Sequence, residues 1–452
     1  MLYYNIEKKV LQKITPSDLY RKKIKDNILE LNNLIKKEIA QKRLPVKIQL
    51  VGSIAKDTYL MNNMDIDFFI CFPRNYKKDE IAKNTLIIGK KILENTEESY
   101  AEHPYIRGYY KGCKTEIVPC YQIENANQKL SAVDRTPLHT KFVKENISEK
   151  QRQEVRLLKQ FLKGINCYGA EAQIEGFSGY LCEILILYYN TFEDTIKNVK
   201  NWKQKEKLSL KKGNFPNFNT PLTFIDPVDP ERNVASAVSR QKYDMVKKAA
   251  EEYLLNPKIT FFFPNKIKPW SLNKIKNILE KDDNRYLGIE IEKPDIIDEN
   301  LYPQIKKAAK SIEKNSKKND FSVKDAKYLV KNKSIYIIIK TKTLSINEEK
   351  THIGPPINKK ENSEDFKNKW NNNKRVLKKP YIKNKRWYVD IKRKYTNIQD
   401  FLDKEFKNLS LGKHLDKIRI NQYKILEQKD LLNKDLKVFW TEYLDGKMSW
   451  ER

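Results

Sequence analysis

Two aspartates one residue apart, Asp65 and Asp67, open the apolar run FFICF at 68–72. In a strand, side chains repeat their direction every two residues, so both carboxylates would face the same side. Adjacent carboxylates repel each other and are costly beside a core unless a cation neutralises them. Hard oxygen ligands of this kind suit Mg²⁺. Thirteen residues before Asp65 lies Gly52-Ser53, followed by a short segment with helical character. Glycine lets the backbone come close to a ligand, and serine can cap a helix whose free N–H groups attract phosphate. Taken alone, Asp-x-Asp fits equally a strand edge with two solvated acids.

The flanking elements must bring these groups together. Residues 46–51 read as a strand running into Gly52-Ser53, and 65–72 as the next strand, closed by Pro73. Residues 79–93 read as a helix, 100–111 as short strand or turn segments, and 114–120 (KTEIVPC) as a strand. Placed beside the Asp65–Asp67 strand, that last strand would offer Glu116 as a third carboxylate; otherwise Glu116 is a polar residue on a half-exposed strand. Phosphate cradle, short helix and paired acids on a strand together make the layout of a nucleotidyltransferase palm.

The chain has 452 residues, room for about three domains, and 39% of them are hydrophobic. Its formal charge of +30 points to a polyanionic partner, although abundant Lys, Asn and Ile also fit a biased base composition. Five cysteines, none in a CxxC pair, suit reduced thiols and a cytoplasmic protein and make no zinc constellation. No signal peptide is evident at the N-terminus. The apolar stretch 177–189 contains Glu183 and is too short to span a bilayer, so a membrane is not an expected partner.

Residues 1–44 carry a helical apolar stripe with a start signal at Thr15-Pro16-Ser17-Asp18. The polar stretch 131–139 (SAVDRTPLH) reads as a loop. Helices are expected from Ser148, over 176–189, 192–202 and 235–254, with a loop at 203–212. Beyond Pro257, 46 lysines and arginines stand against 27 acids. Strands are expected there at 259–263, 285–291, 334–342 and 386–392, and helices at 303–315, 324–330, 363–370, 398–409 and 415–424. Residues 366–395 hold 12 Lys/Arg and one acid, Asp390, interleaved with aromatics, a pattern that suits a sugar-phosphate backbone and stacked bases, with a solvated lysine-rich face as the alternative.

GSIAKDTYL, DIDFFICFP, YAEHPY, TEIVPCY, SAVDRTPLH, EVRLLKQFLK, YGAE, GFSGYLCEILI and FIDPVDPERNVASAVS together resemble the archaeal-type (class I) CCA-adding tRNA nucleotidyltransferases, within the polymerase-β-like superfamily. DENLYPQIKKAAKSI and THIGPP are similar to the C-terminal part of that family. The resemblance implies a multidomain α+β fold: a polymerase-β-like palm over 1–147, a helical central domain over 148–256, and an α+β body and tail over 257–452. It implies template-independent addition of C, C and A to the tRNA 3′ end from CTP and ATP, 3′-end repair, and a two-metal Mg²⁺ site. The partner would be the acceptor and TΨC stem of tRNA, and the family is compatible with a homodimer. By motif, Asp65, Asp67 and Glu116 would be catalytic metal ligands. Gly52, Ser53, Lys56, His139, Lys159, Tyr168 and Arg232 would contact the nucleotide, Arg232 from the base-recognition region. Three positions depart from the family: Asp65 where Glu is common, Glu116 where Asp is usual, and Lys56 where Arg is usual, which keeps the charge and loses the bidentate fork.

Two other functions remain open on the sequence. A poly(A)- or oligoadenylate-type enzyme would share the acids without needing a tRNA-gripping tail. A non-catalytic RNA-binding protein with a decayed palm would not need all three acids.

Overall fold

Pro16 and Ser17 separate two N-terminal helices, α1 (Leu2–Ile14) and α2 (Asp18–Gln41). Ser17 starts the second by accepting a hydrogen bond from the Tyr20 amide. The structure, a computed structural model, describes residues 2–61, 64–100, 102–418 and 422–452. The chain forms two compact units, residues 1–266 with 447–452, and residues 267–446.

In the first unit, β1 (Lys47–Val51), α3 (Gly52–Ala55), β2 (Asp65–Phe72), α4 (Lys78–Ile92), β3 (Glu94–Tyr100), β4 (Pro104–Tyr110) and β5 (Cys113–Tyr121) follow in order. The five strands form one mixed sheet in the order β1-β2-β5-β4-β3. Strand β2 runs antiparallel to β1 and parallel to β5, which places Asp67 beside Glu116. Ile66, Phe68, Ile70 and Phe72 of β2 are buried with Ile24, Leu31 and Ile35 of α2 and Ile81 and Ile88 of α4. Phe69 and Cys71 pack on the opposite face with Val51, Val118 and Cys120. Burial of both faces, about 1.5–3 kcal/mol per large apolar side chain, fixes the register that puts the aspartates on the second face.

The helical part of this unit contains α5 (Arg135–Asn146), α6 (Glu149–Gly164), α7 (Gly179–Tyr189), α8 (Phe192–Val199) and, after the short parallel pair β6 (Glu206–Leu208) and β7 (Leu222–Phe224), α9 (Arg240–Leu255). The stretch 131–139 is therefore not a loop. It makes a 3-10 turn, Ala132–Asp134, and enters α5 directly. Pro137 falls in the first helical turn, where a missing N–H costs nothing. Residues 259–263, expected as a strand, instead begin with a 3-10 turn, Ile259–Phe261. Phe261 and Phe262 are buried there against Phe161 and Tyr253, and among the described residues no strand pairs with them.

The second unit runs α10 (Leu272–Lys281), β8 (Arg285–Glu292), α11 (Asp298–Lys318), β9 (Val323–Lys331), β10 (Ser334–Thr341), β11 (Glu349–Pro356), α12 (Lys360–Asn371), β12 (Val376–Lys383), β13 (Arg386–Lys392), α13 (Ile398–Glu405), α14 (Leu415–Ile418), β14 (Tyr423–Leu426) and α15 (Lys437–Asp445). It holds a sheet β14-β8-β10-β9 and a smaller sheet β11-β13-β12. Residues 324–330, expected as a helix, are β9: Ala326, Tyr328 and Val330 alternate onto the core and the strand pairs with β10. The helix expected over 415–424 is one turn, α14; residues 419–421 lie outside the described set, and β14 begins at Tyr423.

Candidate active site

The centre of the site is the meeting of β1, α3, β2 and β5. Gly52 adopts φ +72°, a left-handed conformation that favours glycine. A Cβ there would stand 2.0 Å from Asp67 Oδ2, so the Asp67 carboxylate lies directly over the Gly52 backbone. Val51 takes the N-cap position of α3 and Ser53 lies one residue inside it. The expectation that Ser53 caps this helix is therefore not met; it stands half-buried in the first turn.

Burial, with Glu116 and Asp65 as like-charged neighbours, pushes the Asp67 carboxyl up to about 8 against the pull of Lys56 and Lys114. Across the parallel register, Glu116 accepts a hydrogen bond from Arg107 Nε at 2.7 Å, and Asp65 pairs with Lys114 at 3.1 Å. These cations draw the outer acids aside. Among the described residues no three His, Cys, Asp or Glu side chains close on a single point as a metal cluster. The donor chemistry still fits divalent ions: three hard carboxylates share one sheet face, and a cation beside the innermost would relieve the burial and like-charge repulsion that disfavour its ionised form. A cleft of about 270 Å³ opens here, lined by Gly52, Asp67 and Glu116 with an apolar wall of Val51, Phe69, Tyr105, Val118 and Val133.

Behind Gly52-Ser53 lies a buried ionic network. Glu183, on α7 and fully buried, accepts from Lys56 Nζ at 2.6 Å, Lys159 Nζ at 3.2 Å and Thr58 Oγ1 at 2.5 Å. Lys159 also donates to the Thr58 carbonyl at 3.1 Å. Burial holds Lys159 below its ordinary pKa, with Glu183 opposing. Burial alone would raise Glu183, but Lys56 and Lys159 hold it below the usual carboxylate range. Both predicted lysines are thus in the interior and share one carboxylate. Tyr168 is close to them: a Cβ on Gly179 would lie 3.1 Å from Tyr168 Oη and 3.6 Å from Lys159 Nζ.

His139 and Arg232 meet at a second acid. Asp226 Oδ2 lies 2.8 Å from His139 Nε2 and 2.8 Å from Arg232 Nη1, while Oδ1 accepts from Tyr180 Oη at 3.1 Å and the Val228 amide at 3.0 Å. The imidazole stacks on the Tyr180 ring at 4.2 Å, and Lys56 Nζ stands 5.9 Å from that ring. Burial holds His139 below its ordinary pKa, with the hydrogen bond and charge of Asp226 opposing. Tyr180 thus stands between the Glu183 network and the Asp226 cluster.

Sequence reasoning missed Glu183, Thr58, Tyr180 and Asp226 as parts of the site. A signal existed for Glu183, the one acid in the apolar stretch 177–189. Asp226 carried none, because a Pro-punctuated loop makes an aspartate look ordinary.

Matches to known proteins follow the same division of the chain. Residues 33–139 match the nucleotidyltransferase domain, 153–263 the second domain of tRNA nucleotidyltransferase, and 284–428 the C-terminal domain of CCA-adding enzyme. Curated relatives called CCA-adding enzyme include one from Picrophilus torridus, 37% identical over 91% of this chain and 93% of its own length. Others are from Methanosarcina mazei, 33% identical over 96% of this chain and 97% of its own length, and Thermoplasma acidophilum, 36% identical over 91% and 92%. With the palm acids in register and all three domain types present in order, the chain belongs to the archaeal-type CCA-adding tRNA nucleotidyltransferases.

Proposed function

We propose that this protein adds C, C and A in turn to the 3′ end of tRNA, using CTP and ATP and no nucleic-acid template, and so also repairs incomplete ends. The observation that carries this is the placement of Asp67 beside Glu116 across the parallel β2–β5 pair, in a chain matching the CCA-adding C-terminal domain over 284–428. The terminal hydroxyl oxygen attacks the α-phosphorus, the bond to the β-phosphate oxygen breaks, and pyrophosphate leaves. Asp65, Asp67 and Glu116 would hold two Mg²⁺ ions, which lower the hydroxyl pKa and offset charge on the leaving group. Glu116 would orient the hydroxyl and accept the proton it loses as the new O–P bond forms. The Gly52 and Ser53 amides face the triphosphate, with Lys56 and Lys159 supplying buried positive charge behind them. Tyr168 and His139 contact the nucleotide, the latter through an imidazole that can donate a hydrogen bond in either protonation state and whose ring Asp226 and Tyr180 hold in place. Arg232, anchored on the same Asp226, contributes to base recognition.

The domains are a palm over 1–147, a helical centre over 148–256 and a tRNA-binding body and tail over 257–452, whose excess of cations suits the acceptor and TΨC stem. Among the described residues no helix is long and apolar enough to cross a membrane. The reading places the protein in the cytoplasm and is compatible with a homodimer, which sedimentation tests. The function is tested by incubating a tRNA transcript lacking CCA with each labelled nucleotide in turn. Incorporation of C, and of A only after C, is expected. A alone, or no incorporation, overturns it.

A further inference from the structure

The second unit contains a pocket that this chemistry does not use. It lies among the end of α11, β11, α12 and β13 and has a volume of about 190 Å³. Six of its lining side chains are cations, against a single acid, Asp320. That acid is already shared by Lys350 at 2.6 Å and Arg393 at 3.2 Å, and Lys394 pairs with Glu405 at 2.5 Å. No carboxylate partner is found among the described residues for the other three cations, Lys318, Lys369 and Arg375. Like charges gathered in one concavity are unfavourable unless an anion joins them.

Trp370 supplies a second observation. It lines the pocket, is 4% exposed, and its buried indole Nε1–H has no hydrogen-bond partner among the described residues. A buried unsatisfied donor beside a cluster of cations calls for an acceptor. The ring itself is no platform for a base, because His352 at 5.3 Å and Phe366 at 6.4 Å already pack on it. The volume is also below the range of about 300–1,000 Å³ usual for whole small-molecule ligands. What fits is a compact oxyanion.

We propose that this pocket holds a single phosphate of the RNA backbone, gripped by Lys318, Lys369, Arg375 and the Trp370 Nε1–H. The choice of RNA as the source rests on the tRNA function given above; the shared chemistry is that of a phosphate group. A phosphate held by three cations and a neutral donor fixes the position of the strand without reading its sequence.

The test uses the full chain and a labelled tRNA transcript, with affinity measured by anisotropy across a series of KCl concentrations. The variants are the triple substitution Lys318→Gln/Lys369→Gln/Arg375→Gln and the single Trp370→Phe. Three cations on one phosphate predict that the triple variant loses roughly 0.7–0.9 from the magnitude of the log–log salt slope, the value for one phosphate contact. Its affinity should fall about tenfold or more, as for lost hydrogen bonds to a charged group. Trp370→Phe, which keeps the ring and the charge, should weaken binding a few-fold with the slope unchanged. An unchanged slope in the triple variant overturns the proposal, and so does a loss of two or more, which would mean separate phosphates. Calorimetry with inorganic phosphate at constant ionic strength separates the sources. Phosphate binding that the triple variant loses, with tRNA affinity and slope unchanged, would assign the pocket to a free anion and overturn the RNA source. If the wild-type chain incorporates no C, yet the triple variant shows the predicted slope change against it, the function above fails and the pocket stands.

Discussion

Gly52 and Asp67 occupy one space: a methyl group on the first would fall 2.0 Å from a carboxylate oxygen of the second. The backbone at Gly52 is also left-handed, which costs a non-glycine residue of order 1–3 kcal/mol. Gly52→Ala should therefore displace Asp67 or the α3 turn, and a misplacement near 1 Å costs about 100-fold in rate. Single-turnover C addition should fall by at least that factor while the thermal midpoint moves by only a few degrees. A variant retaining a tenth of wild-type rate would show that the Asp67 position over Gly52 is not required.

Glu183 balances two lysines in a dry interior. Glu183→Gln keeps its shape and one acceptor but leaves Lys56 and Lys159 with no buried counter-charge. Breaking such a pair from one side typically costs about 3–5 kcal/mol. Urea denaturation should show a loss of that size. Combining Glu183→Gln with Lys159→Met should recover part of it, because the uncompensated charge is then removed as well. Stability within 0.5 kcal/mol of wild type in the single variant, a threshold roughly the size of a neutral surface change, would mean that another group neutralises these lysines.

The palm was legible in the chain because its signals are local. Asp65 and Asp67 share a face by strand periodicity alone, and the apolar run after them requires a buried strand. Glu116 could be placed beside them because KTEIVPC is apolar enough to be an inner strand. The Glu183 network was not legible, since the carboxylate and Lys56 are 127 residues apart and only the packing of α7 brings them together. The helix α5 was hidden by Pro137 and by polar residues that favour turns when no tertiary contact is known; Asp134 settles the entry by accepting from the Leu130, Ser131 and Tyr121 amides. For β9 the alternation of Ala326, Tyr328 and Val330 was present but weak, and pairing with β10 decided it.

Acid should unlock the Asp226 cluster. Burial alone would raise this carboxyl, but the hydrogen bond and charge of His139, the Val228 amide and Arg232 hold it well below its ordinary value of 3.8. A depressed folded pKa contributes stability that is present above the unfolded pKa and is lost as pH falls through it toward the folded value. Between pH 5 and pH 3, wild-type stability should thus fall more steeply than that of Asp226→Asn, which has no carboxylate to protonate. At pH 7 the Asn variant should be the less stable of the two. Urea midpoints at half-unit pH steps check this, and parallel curves would remove Asp226 from the acid response.

The lysines of β12 face a sharper choice. Lys378, Lys379 and Lys383, with Lys385 just beyond the strand, are exposed, and β12 is an edge of the sheet β11-β13-β12. Lysines on an edge strand can act simply to prevent pairing with another chain. They can also grip RNA, and Lys378 Nζ lies 4.4 Å from the Tyr381 ring centre, a cation and aromatic side by side. If about four phosphates are held by this stretch, the slope of log affinity against log salt carries roughly −3 to −4 from it, at about −0.7 to −0.9 per contact. Replacing the four lysines with glutamine should then weaken tRNA binding, flatten the slope by that amount, and leave sequence preference intact because phosphates carry none. Edge protection predicts a different result: affinity and slope stay as in the wild type, while light scattering shows association of the variant at concentrations where the parent stays dispersed. Titration against tRNA at several salt concentrations, with scattering measured on the same samples, separates the two roles. An unchanged slope would place the RNA grip elsewhere on the basic C-terminal unit.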